Sequence, residues 1–182
     1  MNATTRYKCI LADPPWAYRA WSKDMGRRTA ESFYATMSQG DIKAMRPSID
    51  QWAAPDCALF LWITMPCLPD GLAVMDAWGF EYRTVAFTWI KTTRTGAPAF
   101  GLGHYTRGNA ELCLLGIRGR MPVKMRDVPQ VIMSPRREHS RKPDEQYERI
   151  ERMYDGPFLE LFARHRRSGW DAWGFEAPSE AV

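Results

Sequence analysis

The most chemically specific stretch of the chain is the tetrapeptide Asp13-Pro14-Pro15-Trp16. Asp13 is a carboxylate acceptor. Pro14 has no N–H, so its peptide offers a carbonyl acceptor in a constrained direction. Trp16 is a broad aromatic surface. Two acceptors beside an aromatic plane suit a planar ring that carries an NH₂ group. The acceptors take the two amino hydrogens and keep the nitrogen lone pair available as a nucleophile. Trp16, or Tyr18, stacks on the ring. Acceptors placed for the charge that develops on nitrogen stabilise the transition state. The plainer reading of the same letters is a strand-ending turn with a core tryptophan, because neither proline can donate to a sheet ladder.

Strands and helices must position this tetrapeptide. Lys8 to Ala12 reads as a short apolar strand running into Asp13, and ligands of open α/β sheets bind outside the carboxyl ends of strands. Residues 17–36 read as a loop. Ser38 predicts a helix cap, with one helix from residue 39 to Trp52. Cys57 to Ile63 is apolar on both faces, as a central parallel strand is. A helix over Gly71–Trp78 ends at Gly79. Strands follow over Arg83–Ile90 and Ala110–Ile117, flanking a glycine-rich basic loop at 91–108. Residues 118–141 are basic and proline-interrupted. Pro143 opens a helix with Tyr147, Ile150 and Tyr154 on one buried face. Phe158 to Phe162 is the last strand. The alternation predicts an α/β fold with a mostly parallel sheet and helices on both faces.

Composition bounds the remainder. The chain has 182 residues, 45% hydrophobic and 13% aromatic, which excludes a disordered chain. There is no run of eighteen apolar residues and no signal-like apolar segment near Met1, so the expectation is a cytoplasmic protein without a membrane span. Cys9, Cys57 and Cys113 sit in apolar runs as small hydrophobes. No Cys/His spacing suits zinc, so no metal is assigned. The net charge is +4, yet Lys91 to Arg126 carries seven basic residues against Glu111 alone. That local excess suggests a polyanionic partner, with a solvated loop face as the alternative.

The blocks ADPPW at 12–16, YATMS at 34–38, LFLWIT at 59–64, WGFE at 78–81 and TWIK at 88–91 stand in a distinctive order. They continue with ELCLLGIRG at 111–119, SRKPDEQYERIERM at 140–153 and LELFARHRRSGWDAWG at 159–174. Together they resemble the MT-A70 (METTL-type) family of S-adenosylmethionine-dependent adenine N(6)-methyltransferases, over roughly residues 10–176. The resemblance implies a Rossmann-like methyltransferase fold of circularly permuted motif order, with one methyltransferase domain over 1–182. It implies catalytic roles for Asp13, Pro14, Pro15 and Trp16. On the side of the donor it implies Asp13, Ser140, Lys142 (for the carboxylate), Phe162, Arg164 (for the ribose), Arg166, Arg167 and Glu176 (for the adenine). Tyr18, Lys91, Arg94, Arg107, Arg118, Arg120 and Arg137 are the expected nucleic-acid contacts.

The expected reaction is methyl transfer to the N(6) amine of adenine in a polynucleotide. The compactness of the chain favours DNA, with RNA as the alternative. A base in a duplex must be flipped out or presented single-stranded. The expected assembly is a monomer or homodimer, with a partner subunit as a further option. Relatives of this family also include non-catalytic subunits, but such a subunit has no need of an intact Asp13-Pro14-Pro15-Trp16 together with Lys142 and Arg164. Methylation of a small-molecule or protein amine fits the basic segment less well.

Overall fold

A computed structural model describes residues 5–17, 36–101, 105–137 and 141–174. Tyr18, Ser140 and Glu176, and most of the expected 17–36 loop, lie outside the described residues. Among the described residues seven strands form one sheet: β1 (Tyr7–Ala12), β2 (Ala53–Ile63), β3 (Glu81–Thr92), β4 (Ala110–Arg118), β5 (Val131–Pro135), β6 (Phe158–Leu161) and β7 (Trp170–Trp173). Their order is β5-β3-β4-β2-β1-β6-β7. Only β4 runs against the rest, pairing antiparallel with both β2 and β3. The sheet is thus mostly parallel, as expected.

The first strand of the chain lies inside the sheet, between β2 and β6. Cys9–Ala12 pair with Ala58–Leu61 on one side and Phe158–Leu161 on the other. Being inside the sheet and covered on both faces explains its unbroken apolar character: Cys9, Ile10, Leu11 and Ala12 are all buried. β2 shows the same logic. Leu59, Leu61 and Ile63 enter one core layer, while Ala58, Phe60 and Trp62 enter the other.

Helices cover both faces. α1 (Gln39–Ala44), α2 (Arg46–Trp52) and α3 (Leu68–Ala77) supply Ile42, Ile49, Val74 and Met75 to the first layer. α4 (Glu145–Met153) supplies Ile150 to the second. Ser38 caps α1 as expected, in a reciprocal pair with Asp41. The single helix expected over 39–52 is two, because Pro47 at the start of α2 cannot extend the ladder of α1. α3 begins at Leu68, earlier than the expected Gly71. β5 and β7 were not expected. Gly79 ends α3's turn at φ 78, a conformation that costs glycine little. All four cysteines are buried and free. Among the described residues no helix is long and apolar enough to cross a membrane.

Candidate active site

The carboxyl ends of β1, β2, β3, β5 and β6 and the amino end of β4 share one edge of the sheet, by the pairing register. Asp13 follows β1 directly, so it stands at the middle of that edge. Pro14 and Pro15 then stop the strand, and Trp16 N–H donates to the Pro14 carbonyl at 2.8 Å. A carbonyl has two acceptor positions, so one remains for a ligand. Pro15's carbonyl accepts from Met37 N–H at 2.9 Å, which ties the turn to the chain entering α1.

Lys142 Nζ reaches both oxygens of Asp13, at 2.8 and 2.7 Å. It also pairs with Glu111 Oε2 at 3.2 Å. Glu111 in turn bonds Lys91. Asp13, Lys142, Glu111 and Lys91 therefore form a line of alternating charge along the site edge. Lys142 and Glu111 are only 7% and 6% exposed, so partner charges govern their ionisation. Burial pulls the proton affinity of the Lys142 ammonium down, but the two carboxylates outweigh it and hold the proton more tightly than usual. Burial would likewise raise the Glu111 carboxyl; Lys142 and Lys91 outweigh it and hold it below the ordinary range. The Asp13 carboxyl moves the other way. Burial pushes it up, Glu111 repulsion adds to that, and the Lys142 charge offsets only part.

A cleft of about 180 Å³ opens beside Asp13. Leu11, Trp62, Lys142, Gln146, Tyr147, Glu160, Phe162 and Arg164 to Arg167 line it. Phe162 leaves β6 at φ 61, in the left-handed region that non-glycine residues rarely adopt. That turn swings the arginine-rich segment over the cleft, with the Arg167 guanidinium over the Tyr147 ring at 4.7 Å. Tyr147 O–H donates to both Glu160 oxygens at 3.1 Å. Burial raises the Glu160 carboxyl to about 7, with Asp13 contributing and Tyr147 and Arg167 opposing.

The expected residues divide. Asp13, Lys142, Phe162, Arg164, Arg166 and Arg167 converge on the cleft, with Arg137 on its rim through Asp144 at 2.5 Å. Trp16 does not line it. It is 7% exposed, packs in the first core layer, and its indole donates to the Trp62 carbonyl at 2.9 Å. An indole buried in this way has no face left for a base, so stacking by Trp16 is corrected to a core role. Lys91 lies on the site edge with its ammonium paired to Glu111. Arg118 and Arg120 are corrected by topology. Arg118 pairs with Cys57 and Ala12 with Leu61, which puts Arg118 five strand residues, roughly 17 Å, from Asp13 at the opposite edge. There Arg118 binds Asp50 at 2.9 Å and the Trp78 carbonyl. Arg120 N–H donates to Asp56 at 2.7 Å. Arg94 and Arg107 are exposed on the site side. Sequence reasoning missed Glu111, Glu160 and Gln146 as site residues and assigned Tyr147 to the core. A polar letter inside an apolar strand run was the available signal for both glutamates.

The family model described as MT-A70 matches residues 7–176. The chain is 32% identical to the Type II methyltransferase M.MunI of Mycoplasma sp, covering 97% of this chain and 80% of that protein. It is 32% identical to an N(6)-adenosine-methyltransferase MT-A70-like protein of Arabidopsis thaliana, over 96% of this chain and 24% of that protein. It is 30% identical to the human N(6)-adenosine-methyltransferase catalytic subunit METTL3, over 87% of this chain and 26% of that protein. The chain thus spans most of the first relative and about a quarter of the other two.

Proposed function

Because the chain belongs to the MT-A70 family of adenine N(6)-methyltransferases, we propose that it methylates the exocyclic amine of adenine in DNA, with S-adenosylmethionine as donor and the Asp13 cleft as the site. The carrying observation is Asp13 itself, held at the central strand end by Lys142 at 2.7 Å and open to the cleft. DNA is favoured over RNA because the Type II methyltransferase is the relative matched over four-fifths of its length.

The cleft's chemistry fits such a donor. It places carboxylates (Asp13, Glu160), cations (Lys142, Arg164, Arg166, Arg167) and aromatic rings (Phe162, Tyr147) around one space, as a ligand carrying a sulfonium, an amino-acid group and a nucleoside requires. When bound, the donor supplies an electrophilic methyl group. The protein's part is alignment and electrostatics. Asp13 and the free lone pair of the Pro14 carbonyl accept the two amino hydrogens and orient the nitrogen. The raised proton affinity of Asp13 makes it a stronger acceptor than a solvated carboxylate. Lys142 fixes both Asp13 oxygens in direction. Arg94, Arg107 and Arg137 stand on the site side for backbone phosphates, with an affinity that falls with salt.

The test is a methylation assay on mixed-sequence duplex DNA, single-stranded DNA and RNA, each digested to nucleosides and measured by mass spectrometry. N(6)-methyldeoxyadenosine that disappears with Asp13→Ala is the expected result. Methylated adenosine in the RNA pool alone overturns the DNA assignment. Silence in all three pools, with donor binding intact, overturns the enzymatic reading of this chain acting by itself.

A further inference from the structure

Trp62 lies at the back of the cleft, fully buried, and two polar groups meet its indole. The Lys142 ammonium lies over the ring at 5.7 Å from its centroid. Gln146 Oε1 accepts the indole N–H at 2.6 Å. An indole nitrogen can only donate, so the amide oxygen of Gln146 must face it and the NH₂ group must face away. Gln146 is 3% exposed, lines the cleft, and among the described residues no acceptor takes its amide hydrogens. Gln146 lines the cleft, so its amide hydrogens are available there to an acceptor on a ligand.

The neighbouring ammonium is already committed. Lys142 donates to both Asp13 oxygens and stands in an ion pair with Glu111. It brings positive charge to this wall, while the uncommitted hydrogen-bond donor is Gln146. Gln146 stands in the first turn of α4, where its own N–H and that of Tyr147 are taken by the Pro143 and Asp144 carbonyls, so the side-chain amide is the donor offered to the cleft. Arg137 and Arg141 occupy the nearby Asp144 carboxylate, which limits its repulsion.

We infer that the Gln146 carboxamide, oriented by the Trp62 indole, donates a hydrogen bond to the α-carboxylate of the bound methyl donor. The inference rests on the methyl-donor reading above and adds a ligand contact to it. Sequence periodicity could not supply this, because Gln146 sits one position before Tyr147 and off the expected buried face.

Calorimetry on the full chain tests it with three ligands: S-adenosylmethionine, S-adenosylhomocysteine, and the decarboxylated donor that lacks the carboxylate. Gln146→Met removes the amide at similar volume. Gln146→Glu keeps an acceptor for the indole N–H, so the wall stays satisfied while the donor is lost. Both variants are expected to weaken the two carboxylate-bearing ligands roughly tenfold or more, the usual worth of a hydrogen bond to a charged group. Gln146→Met is expected to leave affinity for the decarboxylated donor unchanged, and Gln146→Glu, which adds a negative charge facing a cation, to hold or raise it. Equal weakening of all three ligands, or of none, overturns the inference. Failure of the native chain to bind any of them overturns the methyl-donor reading instead, and thermal unfolding of each variant separates lost binding from lost fold.

Discussion

Glu160 gives a prediction whose size follows from its surroundings. Its carboxyl rises from an ordinary 4.5 to about 7, first through burial and then through Asp13, against the pull of Tyr147 and Arg167. Between those two pH values the native chain keeps a proton that the unfolded chain has released. Native binding in excess of unfolded binding means that stability falls as pH rises. The loss begins near pH 4.5, is complete just above pH 7, and is flat beyond. At about 1.4 kcal/mol per pH unit, the gap corresponds to about 3 kcal/mol. Glu160→Gln has no proton to lose and keeps a carbonyl for the Tyr147 hydroxyl. Groups remote from the cleft titrate alike in both proteins, so the difference between them reports Glu160 and the Asp13 carboxyl coupled to it. The assay is urea unfolding of both at half-unit steps from pH 4.5 to 8. The variant is expected to gain on the native chain by about 3 kcal/mol across the window, or roughly 6–12 °C in Tm for a chain of this size. Parallel pH profiles would refute the idea that burial controls this carboxyl.

Three further outcomes follow from the site and its supports. Asp13→Asn is expected to lower turnover by about 10²–10³ or more, the effect of losing a charged acceptor at a reacting nitrogen, while circular dichroism stays native because Lys142 retains Glu111. Arg118→Ala is expected to cost about 1–3 kcal/mol, through its bonds to Asp50 and the Trp78 carbonyl, with no change in DNA affinity; Arg94→Ala with Arg107→Ala should do the opposite, weakening binding and flattening its salt dependence. Gly119→Ala is expected to destabilise by about 1–3 kcal/mol or more, since φ is +66 there and a Cβ would lie 2.2 Å from Asp56 Oδ1; denaturant unfolding reads it directly.

The elements most legible in the sequence were those with strong local signals. The apolar runs of β1, β2 and β4 are two-sided because they are buried on both faces, and Ser38 announced its helix through a cap that needs only its own neighbours. β5 was illegible for the converse reason. It is an edge strand whose Val131 and Met133 remain exposed, and proline borders it, so it looks like loop. Asp13 was found because its motif carries its own chemistry. The basic segment misled because charge counted along a chain ignores direction. β4 runs against the sheet and carries Arg118 and Arg120 to the far edge, leaving Arg94 and Arg107 behind. Trp16 misled because a tryptophan beside a reactive motif reads alike whether its ring faces a ligand or a core. Its partner, the Trp62 carbonyl, is 46 residues away.

The interior position of β1 has a consequence for synthesis. Once β4 has left the ribosome, a nascent chain can pair β3, β4, β2 and β1, but the outer edge of β1 waits for β6, about forty residues later. At 5–20 residues per second that interval is roughly 2–8 s. Throughout it the strand Cys9-Ile10-Leu11-Ala12 presents unpaired backbone along a wholly apolar ribbon, the kind of edge that recruits other chains. Asp13 is equally without Lys142 until that same stretch is translated. Completion of the Asp13–Lys142 pair and closure of this apolar edge are therefore joined to the arrival of one segment, and a chain stalled before Phe158 would keep that edge open.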